Sequence, residues 1–192
     1  EHRRSALDVM RSDEDGFHEA VGRVAAAATA EEARMAGRAY WKAGQLWAAE
    51  SAWSRAIELA DEPRTRSNRA HVRTKLARLA RSRAIGNCKV ASELLELAVA
   101  DGKAAIALDP LWTRGAERMA EALLAMGDAH AMEASDVLSR CVRMLKRADV
   151  TANEAKLEAT IAQLNGLREL SRSRALAWRD VQDGGTVQAL DA

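Results

Sequence analysis

The sequence predicts an all-α fold, an α-solenoid of three stacked helical hairpins, and three observations carry that prediction. The 192 residues are 48% hydrophobic but only 4% aromatic, and a chain so poor in β-branched and aromatic residues makes a weak sheet core. In Ala30–Pro63, AEEARMAGRAYWKAGQLWAAESAWSRAIELADEP, apolar residues recur at helical spacing on two successive segments. Gly37 and Tyr40 lie on the first, Gly44-Gln45 breaks it, and Ala49, Trp53, Ala56 and Ile57 form a stripe on the second. One hairpin cannot bury that stripe alone. Further copies are therefore expected, and the spacing of Gly37 and Gly44 returns at Ala120 and Gly127.

Residues 1–29 read as a helical lead-in. Leu7, Val9 and Met10 precede a break at Ser12–Gly16, and a second helix starts from about Phe17, with Ser12 or Asp13 as its cap. The first hairpin covers 30–62, with helices near 30–43 and 46–60. Asp61-Glu62-Pro63 ends it, because the residue before a proline resists the helical region. Trp53 is assigned to the core, while Trp41 and Trp47 fit either core or groove.

The second hairpin covers 63–110. Its turn position recurs at Ala77 in SNRAHVRTKLARLA, but the closing AAIALDP, Ala104–Pro110, arrives about sixteen residues late for a repeat of roughly 34. The excess, Ala80–Leu95, is either a loop at the tip or a lengthening of both helices. Leu76, Leu79 and Ala80 carry the stripe past the usual turn, Gly86-Asn87 gives a fresh break, and Val90, Leu94, Leu95, Ala98 and Val99 restart it. Longer helices are favoured. The hairpin then projects, and Arg78, Arg81, Arg83 and Lys89 make the projection basic, as a docking point or as a solvated end.

The third hairpin covers 111–147 and breaks near Gly127-Asp128. Two extra residues in its turn put Ala134, Leu138, Cys141 and Val142 on the inward side. A capping helix over 148–178 opens with the box Thr151-x-x-Glu154 and carries Leu157, Ile161, Leu164, Leu167 and Leu170 along one side. That side covers the last hairpin, as stacked repeats require. Residues 179–192 have the composition of a flexible tail.

A net charge of +1 with 30% charged residues gives no global pull toward nucleic acid or an anionic membrane. No apolar run approaches the roughly 18 residues that span a bilayer. The first residue is Glu1 rather than Met, so a fragment or processed form is expected, with any targeting segment lost. Cys88 and Cys141 make no disulfide framework and no CxxC, and read as unpaired packing residues in a reducing, cytoplasmic compartment. The scattered glycines form no phosphate loop, and His2, His18, His71 and His130 have no metal-ligand spacing. With no nucleophile elbow and no acid pair, the expectation is no enzyme, no cofactor and no metal.

The order small residue, large residue, turn glycine, Ala, aromatic, Ala and closing Pro resembles the tetratricopeptide repeat. Over roughly residues 30–170 the chain resembles, more specifically, the three-repeat domains of co-chaperones that hold the acidic C-terminus of cytosolic heat-shock chaperones in a carboxylate clamp. That resemblance implies clamp positions at Arg34 and Arg38 in the first repeat, Asn68 of SNRA in the second, and Arg114 and Arg118 of PLWTRGAER in the third. Where the family has Lys and Asn, the first repeat here has two arginines, and Arg38 adds bulk and charge. The physics agrees. Arg34 and Arg38, like Arg114 and Arg118, are four apart and share a helix face. With the helices side by side, four guanidiniums and one amide face the carboxylates of a tail that ends in Asp. The function implied is binding of an acidic C-terminal peptide of a heat-shock chaperone, with no membrane or nucleic-acid partner. The alternative is a scaffold subunit of a larger assembly with no acidic-tail ligand.

Overall fold

The computed structural model describes residues 16–83, 88–148 and 154–190. Eight α-helices follow one another among them: α1 (Phe17–Ala25), α2 (Ala30–Lys42), α3 (Leu46–Leu59), α4 (Pro63–Arg83), α5 (Cys88–Leu108), α6 (Thr113–Met126), α7 (Ala131–Arg147) and α8 (Glu154–Leu190). The pairs α2/α3, α4/α5 and α6/α7 are the three hairpins, and each packs on the next through α3 on α4 and α5 on α6. α1 lies against α3, and α8 lies against α7.

Local chemistry fixes the boundaries. Thr29 Oγ1 accepts the Glu32 N–H at 3.2 Å and Glu32 Oε2 accepts the Thr29 N–H at 3.1 Å, a capping box that starts α2. α2 ends at Gly44, whose φ of 78° permits the Gln45 N–H to reach the Tyr40 carbonyl at 3.0 Å and the Gly44 N–H that of Trp41 at 3.1 Å. Pro63 opens α4 at the first helical position, where its missing N–H has no partner to lose. A 3₁₀ turn, Asp128–His130, supplies the extra turn residues that the third hairpin needs. Ala134, Leu138, Cys141 and Val142 are buried as expected.

Two apolar clusters form the core. One joins the first two hairpins through Trp47, Trp53, Val72, Leu76, Leu94 and Leu95; the other joins the third hairpin to α8 through Leu123, Leu138, Val142, Leu145 and Leu164. Trp47 is therefore core. Trp41 is half-buried, and its ring lies between α2 and α4. The second hairpin is longer than its neighbours because both of its helices have 21 residues.

Some expectations are corrected. Leu170 is 52% exposed, and Ser171 and Ala175 are buried in its place. The helical period of 3.6 carries the inward line from Leu164 to Leu167, Ser171 and Ala175, about 100° from Leu170. α8 also continues past residue 178. Arg174 pairs with Asp128, and Ala175, Trp178 and Gln182 line a small cleft with Met132, so contacts to the 3₁₀ turn and α7 hold the helix beyond Trp178. Cys88 is exposed rather than a packing residue, because it lies at the projecting end of the second hairpin. The helix that starts at Phe17 has Gly16 as its N-cap and no side-chain cap, so neither Ser12 nor Asp13 takes that role. The expected first helix, the break at Gly86-Asn87 and the Thr151 cap lie outside the described residues.

Candidate functional site

The first helices of the three hairpins, α2, α4 and α6, are tied together by a row of side chains. The Trp41 ring of α2 lies 5.0 Å from the His71 ring of α4, and His71 Nδ1 lies 3.4 Å from Glu121 Oε2 of α6. Trp112 Nε1, at the start of α6, donates to Ser67 Oγ of α4 at 2.9 Å. Asn68, His71 and Lys75 follow one another at i, i+3 and i+7, so one face of α4 serves this row.

Each arginine assigned from the sequence meets a carboxylate. Arg34, 16% exposed, donates from Nε to Glu31 Oε2 at 2.9 Å and pairs with Glu62 as well. Arg38 donates to the other Glu31 oxygen at 2.8 Å. Arg114 donates to the buried Glu117 at 2.6 Å, and Arg118 grips both Glu121 oxygens at 2.7 and 2.8 Å. Asn68 is half-buried, and its side chain makes no hydrogen bond among the described residues. The structure thus brings Arg34 with Arg38 through Glu31, and sets Arg114 and Arg118 beside one another on α6. It links α2 to α6 through His71 rather than by direct contact of the arginines. The pairs Glu31/Arg34, Arg114/Glu117 and Arg118/Glu121 are three apart, a spacing that was readable as self-neutralisation.

The electrostatics follow. The hydrogen bond from Arg34, then that from Arg38, holds the exposed Glu31 carboxyl below its ordinary range. Burial pushes the Glu121 carboxyl up, but the side chains of His71 and Arg118 outweigh burial and bring it down to about 2. Ionised Glu121 therefore adds stability above its ordinary value of 4.5, and that contribution is lost as the pH falls from there toward about 2. We expect the decline in urea midpoint across that window to be shallower in Glu121→Gln than in the parent chain. Equal slopes for the two would mean that Glu121 takes no part.

Sequence reasoning missed a second constellation behind this row. Arg66, Arg69 and Arg73 of α4 converge on Asp101 of α5, which is 1% exposed: Oδ1 accepts from Arg66 at 3.0 Å and Arg69 at 2.6 Å, and Oδ2 from Arg69 at 2.8 Å and Arg73 at 2.7 Å. Arg73 also donates twice to Glu50 of α3, at 2.7 and 3.0 Å. The available signal was Arg at i, i+3 and i+7 of one helix, with Glu50 set among the alanines and tryptophans of another.

No protein-family model and no curated protein matches the chain. Among solved structures it is similar to the TPR2B domain of yeast Sti1, described as a pHsp70 complex, with a TM-score of 0.50 and 24% identity over 72% of this chain and 98% of that one. The chain has the tetratricopeptide-repeat fold. In that fold α2, α4 and α6 are the first helices of the three repeats, and the tetratricopeptide array here carries an elongated second repeat.

Proposed function

We propose that this domain binds the acidic C-terminal tail of a partner protein, a heat-shock chaperone in class, on the face formed by α2, α4 and α6. The observation that carries the reading is the placement of Asn68. Its amide, without a partner among the described residues, sits on α4, which packs on the helix bearing Arg114 and Arg118 and meets the helix bearing Arg34 and Arg38 through His71 and Trp41. The partner class is supported by the similar Sti1 domain, whose structure is that of a pHsp70 complex. A tail ending in Asp offers two carboxylates, which compete with Glu31, Glu62 and Glu121 for the partly exposed guanidiniums, while Asn68 donates its amide hydrogens. Exchange of one partly exposed carboxylate partner for another leaves a small net gain, so binding is modest and weakens with salt. Among the described residues no helix is long and apolar enough to cross a membrane. Free thiols at Cys88 and Cys141 fit a reducing compartment, the cytoplasm.

Calorimetric titration with a peptide ending in Glu-Glu-Val-Asp tests the proposal. The free acid is expected to bind, and both the C-terminal amide and the double variant Arg114→Ala, Arg118→Ala to lose about tenfold or more. Equal binding of acid and amide ends the clamp reading. A second reading, a scaffold with no acidic-tail ligand, is favoured by the internal carboxylate on every one of the four arginines. It gains if the free acid does not bind to folded protein.

A further inference from the structure

The last turns of α4 outrun α2, because α4 reaches Arg83 while α2 stops at the Gly44 turn. A cleft of about 760 Å³ opens there, between the end of α2, the start of α3 and the second half of α4. Trp41, Leu46 and Leu79 give it apolar walls, and Lys42, Lys75 and Arg78 its charge. Among the described residues no carboxylate lines it. All three cations are exposed, and among the described residues none has an acidic partner. That sets them apart from Arg34, Arg38, Arg66, Arg69, Arg73, Arg114 and Arg118, each of which is paired. Lys75 Nζ stands 4.4 Å from the centre of the Trp41 ring, an attraction that places the ammonium over the cleft. Since Trp41 also packs on His71, whose other neighbour is Glu121, the cleft continues the row of side chains that ends at Arg118.

We infer that this cleft is a second peptide-binding subsite, which takes an extended acidic segment carrying an aliphatic side chain and needs no free C-terminus. Uncompensated charge over an apolar floor selects the occupant: a neutral or basic segment leaves three cations without partners, and an acidic one supplies them. Lys75 and Arg78 are three apart on one helix face, about 5–6 Å between Cβ atoms. Side chains two apart on an extended strand are spaced by about 6.6 Å on one side, so alternate acidic residues reach both cations. The intervening aliphatic side chain points to the opposite side of the strand, toward the apolar wall of Trp41 and Leu46. The inference deepens the acidic-tail reading and rests on it only for the acidic character of the partner.

The test is fluorescence anisotropy with a labelled peptide, Leu-Glu-Leu-Glu-Asp, blocked at both ends, against the whole chain. The blocked peptide is expected to bind, to weaken as salt rises, and to lose at least about tenfold with Lys75→Glu, Arg78→Glu. The clamp variant Arg114→Ala, Arg118→Ala should hold it within about twofold, because those residues lie outside the cleft. A wild-type measurement guards against misfolded variants: on titration the Trp41 indole N–H resonance shifts while that of the buried Trp47 stays. No binding of the blocked peptide, unchanged binding by the charge-reversed variant, or a still Trp41 resonance overturns the subsite. Blocked-peptide binding without any preference for the free acid at Glu-Glu-Val-Asp retires the clamp and leaves the subsite standing.

Discussion

Asp101→Ala is expected to lower the stability of the domain by about 3–5 kcal/mol, the range for removing one partner from a buried ion pair. Asp101 receives hydrogen bonds from Arg66, Arg69 and Arg73, and it is almost fully enclosed between α4 and α5. Without it Arg73 keeps Glu50, Arg66 keeps Asp61, and Arg69 is left with only the Ser54 hydroxyl, at 3.0 Å. A guanidinium that is 12% exposed then lacks a directly bonded carboxylate in a low-dielectric site. At about 2–4 °C per kcal/mol for a chain of this size, the melting midpoint should fall by about 6–20 °C. A fall equivalent to under about 1 kcal/mol would mean that water replaces the carboxylate at little cost, and the cluster would then be a surface network in all but burial.

The consequence reaches the site. Arg66, Arg69 and Arg73 occupy one face of α4, and Asn68, His71 and Lys75 lie roughly opposite. Locking the first face against α3 and α5 fixes the rotation of α4, and so aims the second face at Trp41 of α2 and Glu121 of α6. A hydrophobic replacement of similar volume can match such a cluster in stability. The charged version also joins three helices, because Arg73 of α4 bonds both Glu50 of α3 and Asp101 of α5.

The same cluster explains where the sequence was legible and where it was not. The first hairpin was readable because the Gly44 turn needs a positive φ and because Trp53 and Ala56 keep a clean apolar stripe. The elongated second hairpin was readable because Leu76 and Ala80 carry the helical period past the expected turn and Val90 and Leu94 take it up again in the returning helix. The inner face of α4, by contrast, mixes Arg66, Arg69 and Arg73 with Ala70, Leu76 and Ala77, so its apolar pattern hides the polar core between repeats. Pattern reading treats Arg as solvent-facing. Nothing local announces that Asp101, some thirty positions away, neutralises it.

The candidate site divides in the same way. Arg34, Arg38, Asn68, Arg114 and Arg118 were assigned by position on the first helices, of which α4 packs on α6 and meets α2 through Trp41 and His71. The Glu62 partner of Arg34 and the His71 contact of Glu121 are long-range or inter-helix facts that no spacing along one helix contains. Lys75 and Trp41 were each visible as residues. Their meeting depends on α4 outrunning α2, a property of relative length that appears only when two hairpins are stacked.

Gly102→Ala tests that stacking directly, because the residue next to Asp101 faces the other neighbour of α5. A methyl group built on Gly102 comes within 2.7 Å of Met119 Cβ, 2.9 Å of its Cα and 3.0 Å of its backbone nitrogen. These atoms belong to the body of α6, so no flexible chain end can swing aside, and the two helices must part. Overpacking of that kind costs about 1–3 kcal/mol, against about 1 kcal/mol gained from the helix preference of Ala over Gly. Gly166→Ala in α8 is the matched control. Its methyl group meets nothing within 4 Å, so only the gain of up to about 1 kcal/mol remains. The two substitutions are chemically identical and should move the urea midpoint in opposite directions. Because α6 carries Arg114 and Arg118, the separation forced at Gly102 should also weaken the free-acid peptide, whereas Gly166→Ala leaves it unchanged. If Gly102→Ala stabilises the chain as Gly166→Ala does, α5 and α6 can part without penalty, and the contact does not hold the third repeat in place.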